Sequence, residues 1–253
     1  MELLIVGAGS MGRWLADTVG FEAAFADADP AAAEAAASAV GGRTVGLDTD
    51  ERFEAVAVAV PMGVATEAIA SHAGAAREAI VDLAGVMAGP TAAMAEHAPE
   101  LERASLHPLF APANAPGRIA VVEEDPGPTV GRIRADLADA GNTFVETTPE
   151  EHDRAMETVQ ARAHAAVLAF GLAAEPVPEG FGTPVYDALE DLRREVTGGT
   201  PRVYADIQES FEGADDVAAA AERIAEADDE TFERLYREAG DDLGDSPGSD
   251  DGG

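Results

Sequence analysis

LLIVGAGSMG, residues 3–12, decides the fold. A four-residue aliphatic run passes directly into G-x-G-x-x-G, and the third glycine already lies in a stretch with helical spacing. A strand that turns on such a motif and opens a helix begins a doubly wound α/β sheet, and each glycine has its own physical task. Gly7 allows the tight turn, Gly9 lets the backbone approach a pyrophosphate, and Gly12 lets helix and strand pack closely. The amides of Gly9, Ser10 and Met11 then present the positive end of the helix to phosphate. An acid about 20 residues on should hold the ribose. Asp27, which ends EAAFAD (22–27), has that spacing. Its charge would repel a 2′-phosphate, so NAD is expected over NADP. The competing reading, that Asp27 only caps the following helix, is weakened by Asp29, which is better placed to cap. Pro61 and Met62, just past AVAVAV (55–60), are expected to line the same crevice.

Working outward, β-rich runs alternate with alanine-rich helical stretches through the first half of the chain, which predicts βαβ units on a parallel sheet. The expected strands are 3–8, 22–27, 55–60, 79–84, 103–108, 118–123 and 142–147, with helices near 11–19, 30–40, 64–74, 89–97 and 127–140. After Pro149 the pattern changes to helix alone. Residues 150–173 carry a long helical periodicity through Met156, Val159, Ala163, Ala166, Val167 and Phe170, and helices follow near 184–196, 200–212, 214–226 and 228–239. The expected architecture is therefore α/β: a Rossmann-type dinucleotide-binding domain over 1–149 and an all-helical domain over 150–240. The Gly/Ser/Asp-rich tail, 241–253, is expected to be disordered.

The 253 residues carry 49 acids against 16 basic residues, a net charge of −33, and every basic residue is arginine. Disorder does not fit a chain that is 46% hydrophobic, and a nucleic-acid mimic would gather its acids on one face. Salt adaptation fits best: at about 1 M salt the Debye length is roughly 3 Å and self-repulsion is screened. Binding to nucleic-acid backbones is disfavoured. There is no cysteine, no apolar run long enough to span a membrane and no basic leader, so a cytoplasmic protein without thiolate metal sites is expected.

Five histidines occur, at 72, 97, 107, 152 and 164. His72 and His97 read as surface residues at helix ends, and His152, in EEHDR, as a structural group at a helix start. His107 sits in the apolar run ASLHPLFAP (104–112), where a polar group is costly without a partner. His164 lies four residues after Gln160, on the same helix face.

DLAGV (82–86), GPTAAM (89–94), LHPLFAP (106–112), EHDRAMETVQARAH (151–164), TPVY (183–186) and YADI (204–207), in this order, resemble the prephenate dehydrogenase family. The resemblance covers all but the tail. It implies a dinucleotide domain followed by a helical domain that forms an intertwined homodimer. It implies NAD-dependent oxidative decarboxylation of prephenate to 4-hydroxyphenylpyruvate in tyrosine biosynthesis, with arogenate as the alternative substrate. His107 would be the catalytic histidine, and His164 and Gln160 would face the substrate. The family's arginine matches Glu195 without gaps, which leaves Arg194 as the nearest guanidinium, with Arg154 and Arg162 as alternatives. The segment DLAGVM departs from the family pattern. Gly85 stands where serine is common and Met87 where lysine is common, and Ala111-Pro112 replaces a usual Gly-Pro. These changes keep open a catalytically silent, NAD-binding homologue. Hydroxyacid dehydrogenases of similar architecture rely on a lysine, and this chain has none.

Overall fold

The computed structural model describes residues 1–241; residues 242–253, most of the expected disordered tail, lie outside the described residues. The chain opens with β1 (Glu2–Val6), α1 (Ser10–Thr18), β2 (Glu22–Ala26), α2 (Pro30–Val40), a two-residue β3 (Arg43–Thr44) and β4 (Phe53–Val58). It continues with α3 (Met62–His72), β5 (Ala76–Asp82), α4 (Ala88–His97), β6 (Glu102–Pro108), β7 (Arg118–Asp125), α5 (Pro128–Asp139) and β8 (Thr143–Glu146). The eight strands form one sheet in the order β3-β2-β1-β4-β5-β6-β7-β8. β1 lies between β2 and β4, so the chain order reverses there and opens a crevice at the strand C-termini.

Every expected strand is present, and the periodicity missed only β3, which is too short to show alternation. One pair departs from the parallel pattern. β6 and β7 run antiparallel, because only residues 109–117 connect them and a parallel crossover needs a dozen or more. The sheet buries both faces. Leu3, Ile5, Phe25, Val81 and Leu106 pack under α1, α2 and α5, while Leu4, Val56, Ile80 and Met94 pack on the side of α3 and α4. Asp29 caps α2 by accepting from the Ala31 amide, with Pro30 at the first helical position.

The second half is helical, as its periodicity predicts: α6 (Pro149–Met156), a π-helical segment (Glu157–Arg162), α7 (Ala163–Ala173), α8 (Pro184–Gly198), α9 (Pro201–Ser210), α10 (Gly213–Ala225) and α11 (Asp229–Gly240). The expected long helix is continuous but widened in its middle. A small core joins the two halves: Met156, Ala161, Ile207 and Phe211 pack with Met62, Val86 and Leu109 from the sheet side. Among the described residues no helix is long and apolar enough to cross a membrane.

Candidate active site

The glycine turn has the geometry its sequence demands. Gly7 has φ +104°, and a Cβ there would run into the Ala59 carbonyl; a Cβ on Gly12 would strike the Gly7 carbonyl. Gly9 differs from both, since nothing lies within 4 Å of where its Cβ would be. Gly9 is the N-cap residue of α1, whose first turn has neither a side-chain cap nor an acid. An uncapped, acid-free helix end with room for a close approach suits a phosphate. Asp27 is half-buried at the end of β2. Its carboxylate accepts from Ala8 N (2.7 Å) and Asp29 N (2.8 Å), so it braces the turn from its own strand. Pro61 caps α3 and Met62 begins it, directly past β4.

Further along the same edge of the sheet stands His107, 7% exposed at the end of β6. Its Nδ1 is 2.9 Å from His152 Nε2, and His152 Nδ1 is 2.8 Å from Asp153 Oδ1. Asp153 also accepts from the backbone amides of Met87 (2.8 Å) and Ala88 (3.0 Å), at the start of α4. Burial raises the cost of charge on Asp153, but the bonds from His152 and from those amides outweigh it and hold the carboxyl below its usual range. With one proton on each ring, the anchored carboxylate assigns them along the chain: His152 donates from Nδ1, His107 donates from its own Nδ1, and His107 Nε2 is left unprotonated. Burial, reinforced by His152 and opposed by Asp153, pushes the His107 pKa down to about 3, so the imidazole is neutral near pH 7.

His107 Nε2 looks toward Gln160 and Gly85. Gln160 Nε2 donates toward it at 3.4 Å, and a side chain on Gly85 would stand 3.6 Å from it. The Met62 sulfur lies 2.7 Å from that same position and takes up the room a residue at 85 would use. Gln160 Oε1 is buried without a partner. Gln160 belongs to the π-helical segment, a local widening that recurs at functional sites. One turn on, His164 lies edge-on to Tyr204 at 4.9 Å between centroids, with Nδ1 buried and unpartnered; burial lowers its pKa. The loop after His107 is tied back to α1, where Phe110 meets Trp14 edge to face at 5.4 Å.

The structure thus brings His107, Gln160, Gly85 and Met62 together. It does not bring Arg194 to them: that guanidinium is 63% exposed and paired with Asp191 (2.8 Å) and Glu190 (3.1 Å). Arg162 is held by Asp216 and Glu157. Arg154, exposed on α6, has no ion pair among the described residues. His152 and Asp153 are the residues that sequence reasoning passed over. The available signal was spacing: His152 lies four residues before Met156, on the buried face of the helix.

No family model matches the chain. A 4-amino-4-deoxyprephenate dehydrogenase of Streptomyces pristinaespiralis is 34% identical over 203 residues, 73% of this chain and 69% of that protein. A "Probable arogenate/prephenate dehydrogenase" of Methanocaldococcus jannaschii is 27% identical over 177 residues, which span 64% of this chain but only 40% of the relative. Among solved structures, a prephenate dehydrogenase of Aquifex aeolicus in complex with hydroxyphenyl propionate and NAD+ superposes with a TM-score of 0.70 at 16% identity, covering 95% of this chain and 92% of that one. An arogenate dehydrogenase of Synechocystis gives 0.58 at 15% identity, over 95% and 98%. These two establish a shared fold, and the Streptomyces relative adds a sequence match over most of both chains. With the glycine turn and the buried histidine set on that fold in the expected order, the chain belongs to the prephenate dehydrogenase family.

Proposed function

We propose that the protein oxidises prephenate with NAD, releasing CO2 and 4-hydroxyphenylpyruvate on the way to tyrosine. The observation that carries this reading is His107, a buried neutral imidazole whose Nε2 lies beside Gln160 and Gly85, at the end of a strand of the sheet that also carries the glycine turn. The amides of Gly9, Ser10 and Met11 would hold the pyrophosphate and Asp27 the ribose, with Pro61 and Met62 beside the nicotinamide. Bound there, NAD supplies the hydride acceptor for the ring carbon that carries the hydroxyl. His107 Nε2 accepts the hydrogen bond of that hydroxyl and takes its proton as the carbon–oxygen double bond forms. The bond to the ring carboxylate breaks, CO2 leaves, and its electron pair restores the aromatic ring. The proton then returns from His107 to the phenolic oxygen. Gly85 borders the substrate beside His107, and Gln160 Oε1 and His164 Nδ1 are free to accept from the substrate. A substrate carboxylate needs a guanidinium. Arg194 serves if it leaves its acidic partners, and Arg154 is the unpaired alternative on α6.

A second reading has a specific observation behind it. An amino group in place of the ring hydroxyl has two N–H bonds to offer, one for His107 Nε2 and one for the unpartnered Gln160 Oε1. The Streptomyces relative is named for such a substrate. Arogenate, which keeps the hydroxyl, is the third candidate.

The same reading makes the protein a homodimer. α7 is apolar almost all round yet buries none of its eleven residues within the chain, and Leu172 is 89% exposed. A helix of that composition belongs in a core, and a second copy of the helical half supplies one. The test of function is NADH formation in about 3 M KCl, which screens self-repulsion, with prephenate, arogenate and 4-amino-4-deoxyprephenate in parallel. Turnover of prephenate with NAD supports the main reading, and turnover of arogenate alone moves it to the third. Turnover of the amino compound alone moves it to the second, and NAD binding without any turnover overturns both.

A further inference from the structure

We propose that His152, oriented by Asp153, is a positioning residue that selects the working tautomer of His107; the proposal rests on the reading of His107 as the base. A neutral imidazole can carry its proton on either nitrogen, and only one form leaves Nε2 free to accept. Nothing on β6 itself makes that choice. It is made from the other half of the molecule, by two consecutive residues of α6. Asp153 accepts from His152 Nδ1 at 2.8 Å, so when the His152 ring carries a single proton its Nε2 is bare and accepts. His107 Nδ1, 2.9 Å away, then donates, and Nε2 is left bare on the side of Gly85 and Gln160.

The carboxylate that starts this chain is itself pinned. Asp153 holds the Met87 and Ala88 amides at the start of α4, so the bonds that dock α6 against the sheet domain also set the tautomer. His152 is 2% exposed, so its Nε2 is shielded from bulk solvent. When His107 takes a proton on Nε2 it becomes an imidazolium in a dry site. His152 and the Asp153 carboxylate then face that charge through hydrogen bonds already made, which is electrostatic preorganisation. The proton on Nδ1 stays where it is.

A purely structural role for this pair, as partners that satisfy one another, would leave the location of the proton on His107 immaterial. The experiment therefore reads the tautomer and the turnover separately. In 15N-histidine-labelled protein with NAD, the His107 resonances should show a protonated Nδ1 and a bare Nε2. Asp153→Asn should shift them toward the other tautomer. In kinetics, His152→Ala should lower kcat by about two orders of magnitude with KM for substrate and the Kd of NAD nearly unchanged. His152→Gln, whose amide oxygen still accepts from Nδ1, should recover much of the loss and guards against an alanine variant that fails to fold. Added imidazole should partly rescue His152→Ala. A wild-type His107 protonated on Nε2 overturns the proposal, as does an Asp153→Asn spectrum like the wild type. So does equal loss in His152→Ala and His152→Gln with KM rising in step. If the wild type shows the expected tautomer but turns over none of the three substrates, the functional reading fails and the positioning survives.

Discussion

His107 and His152 stand edge to face, ring centroids 5.1 Å apart, with Nδ1 of one 2.9 Å from Nε2 of the other and both rings buried. One ring comes from β6 in the first half of the chain and the other from α6 in the second. The contact that orients His107 thus exists only when the two halves are docked.

Replacing His107 by asparagine removes the base and keeps the approximate size of the side chain. The expected outcome is a fall in kcat of about 10²–10⁴ with NAD affinity preserved, measured by NADH absorbance and by quenching of Trp14 fluorescence. A kcat within a few-fold of wild type would remove His107 from the chemistry.

Asp82, at the end of β5, is fully buried, and burial lifts its pKa from 3.8 to about 7 despite the bond from the Ala84 amide. The Ser105 hydroxyl of the adjacent strand lies beside it and offsets the burial only in part. A carboxyl raised in this way binds more protons folded than unfolded. Its contribution to stability is therefore full below about pH 4 and lost as the pH rises through 7. His107 has the opposite sign: lowered from 6.5 to about 3, it costs stability as the pH falls below 6.5. Asp82→Asn should remove the first effect alone. Thermal melts from pH 5 to pH 8 should show the wild type losing more stability than the variant, and parallel curves would contradict the assignment.

Gly7 and Gly9 separate folding from binding. Gly7→Ala forces a side chain into φ +104° against the Ala59 carbonyl and should cost about 1–3 kcal/mol in thermal or denaturant unfolding. Gly9→Ala meets open space and should melt like wild type, while NAD binding weakens about tenfold because the pyrophosphate is held off. Equal effects of both variants on stability would mean that the turn is not shaped for a ligand.

The net charge of −33 gives a salt prediction. The arginines are mostly spent on exposed pairs such as Arg223–Glu238 and Arg237–Glu233, which contribute little, so most of the acid surface is uncompensated. The melting temperature should climb steadily from dilute buffer to about 3 M KCl as the Debye length shrinks. A flat profile would count against salt adaptation.

Sedimentation in the same salt should find a dimer. Leu172→Asp, on the apolar surface of α7, should give a monomer, whereas a wild-type monomer would leave that surface without a partner.

Residues 3–12 alone determine how the chain begins: a strand, a turn that only glycine can make, and a helix with an uncapped positive end. These are local requirements of φ and of close packing, so they are written in adjacent residues. The alternation of strand and helix up to 149 and the helical period beyond it are local in the same sense, and the element boundaries follow them within a few residues. The antiparallel turn of β7 was equally open to reading in the shortness of 109–117, once length is weighed against the reach of a crossover. The pairing of His152 with His107 was not. His152 follows two glutamates at a helix start, where solvent is the default surrounding, and only docking of α6 on α4 removes that solvent and leaves His107 as its partner. The arginines behave the same way: Arg194 has its number from the chain, but its exposure and its acidic partners come from how α8 is turned. Sequence spacing orders groups along one element. Which groups meet across elements, and which nitrogen then carries the proton, depends on packing and desolvation that exist only in the folded molecule.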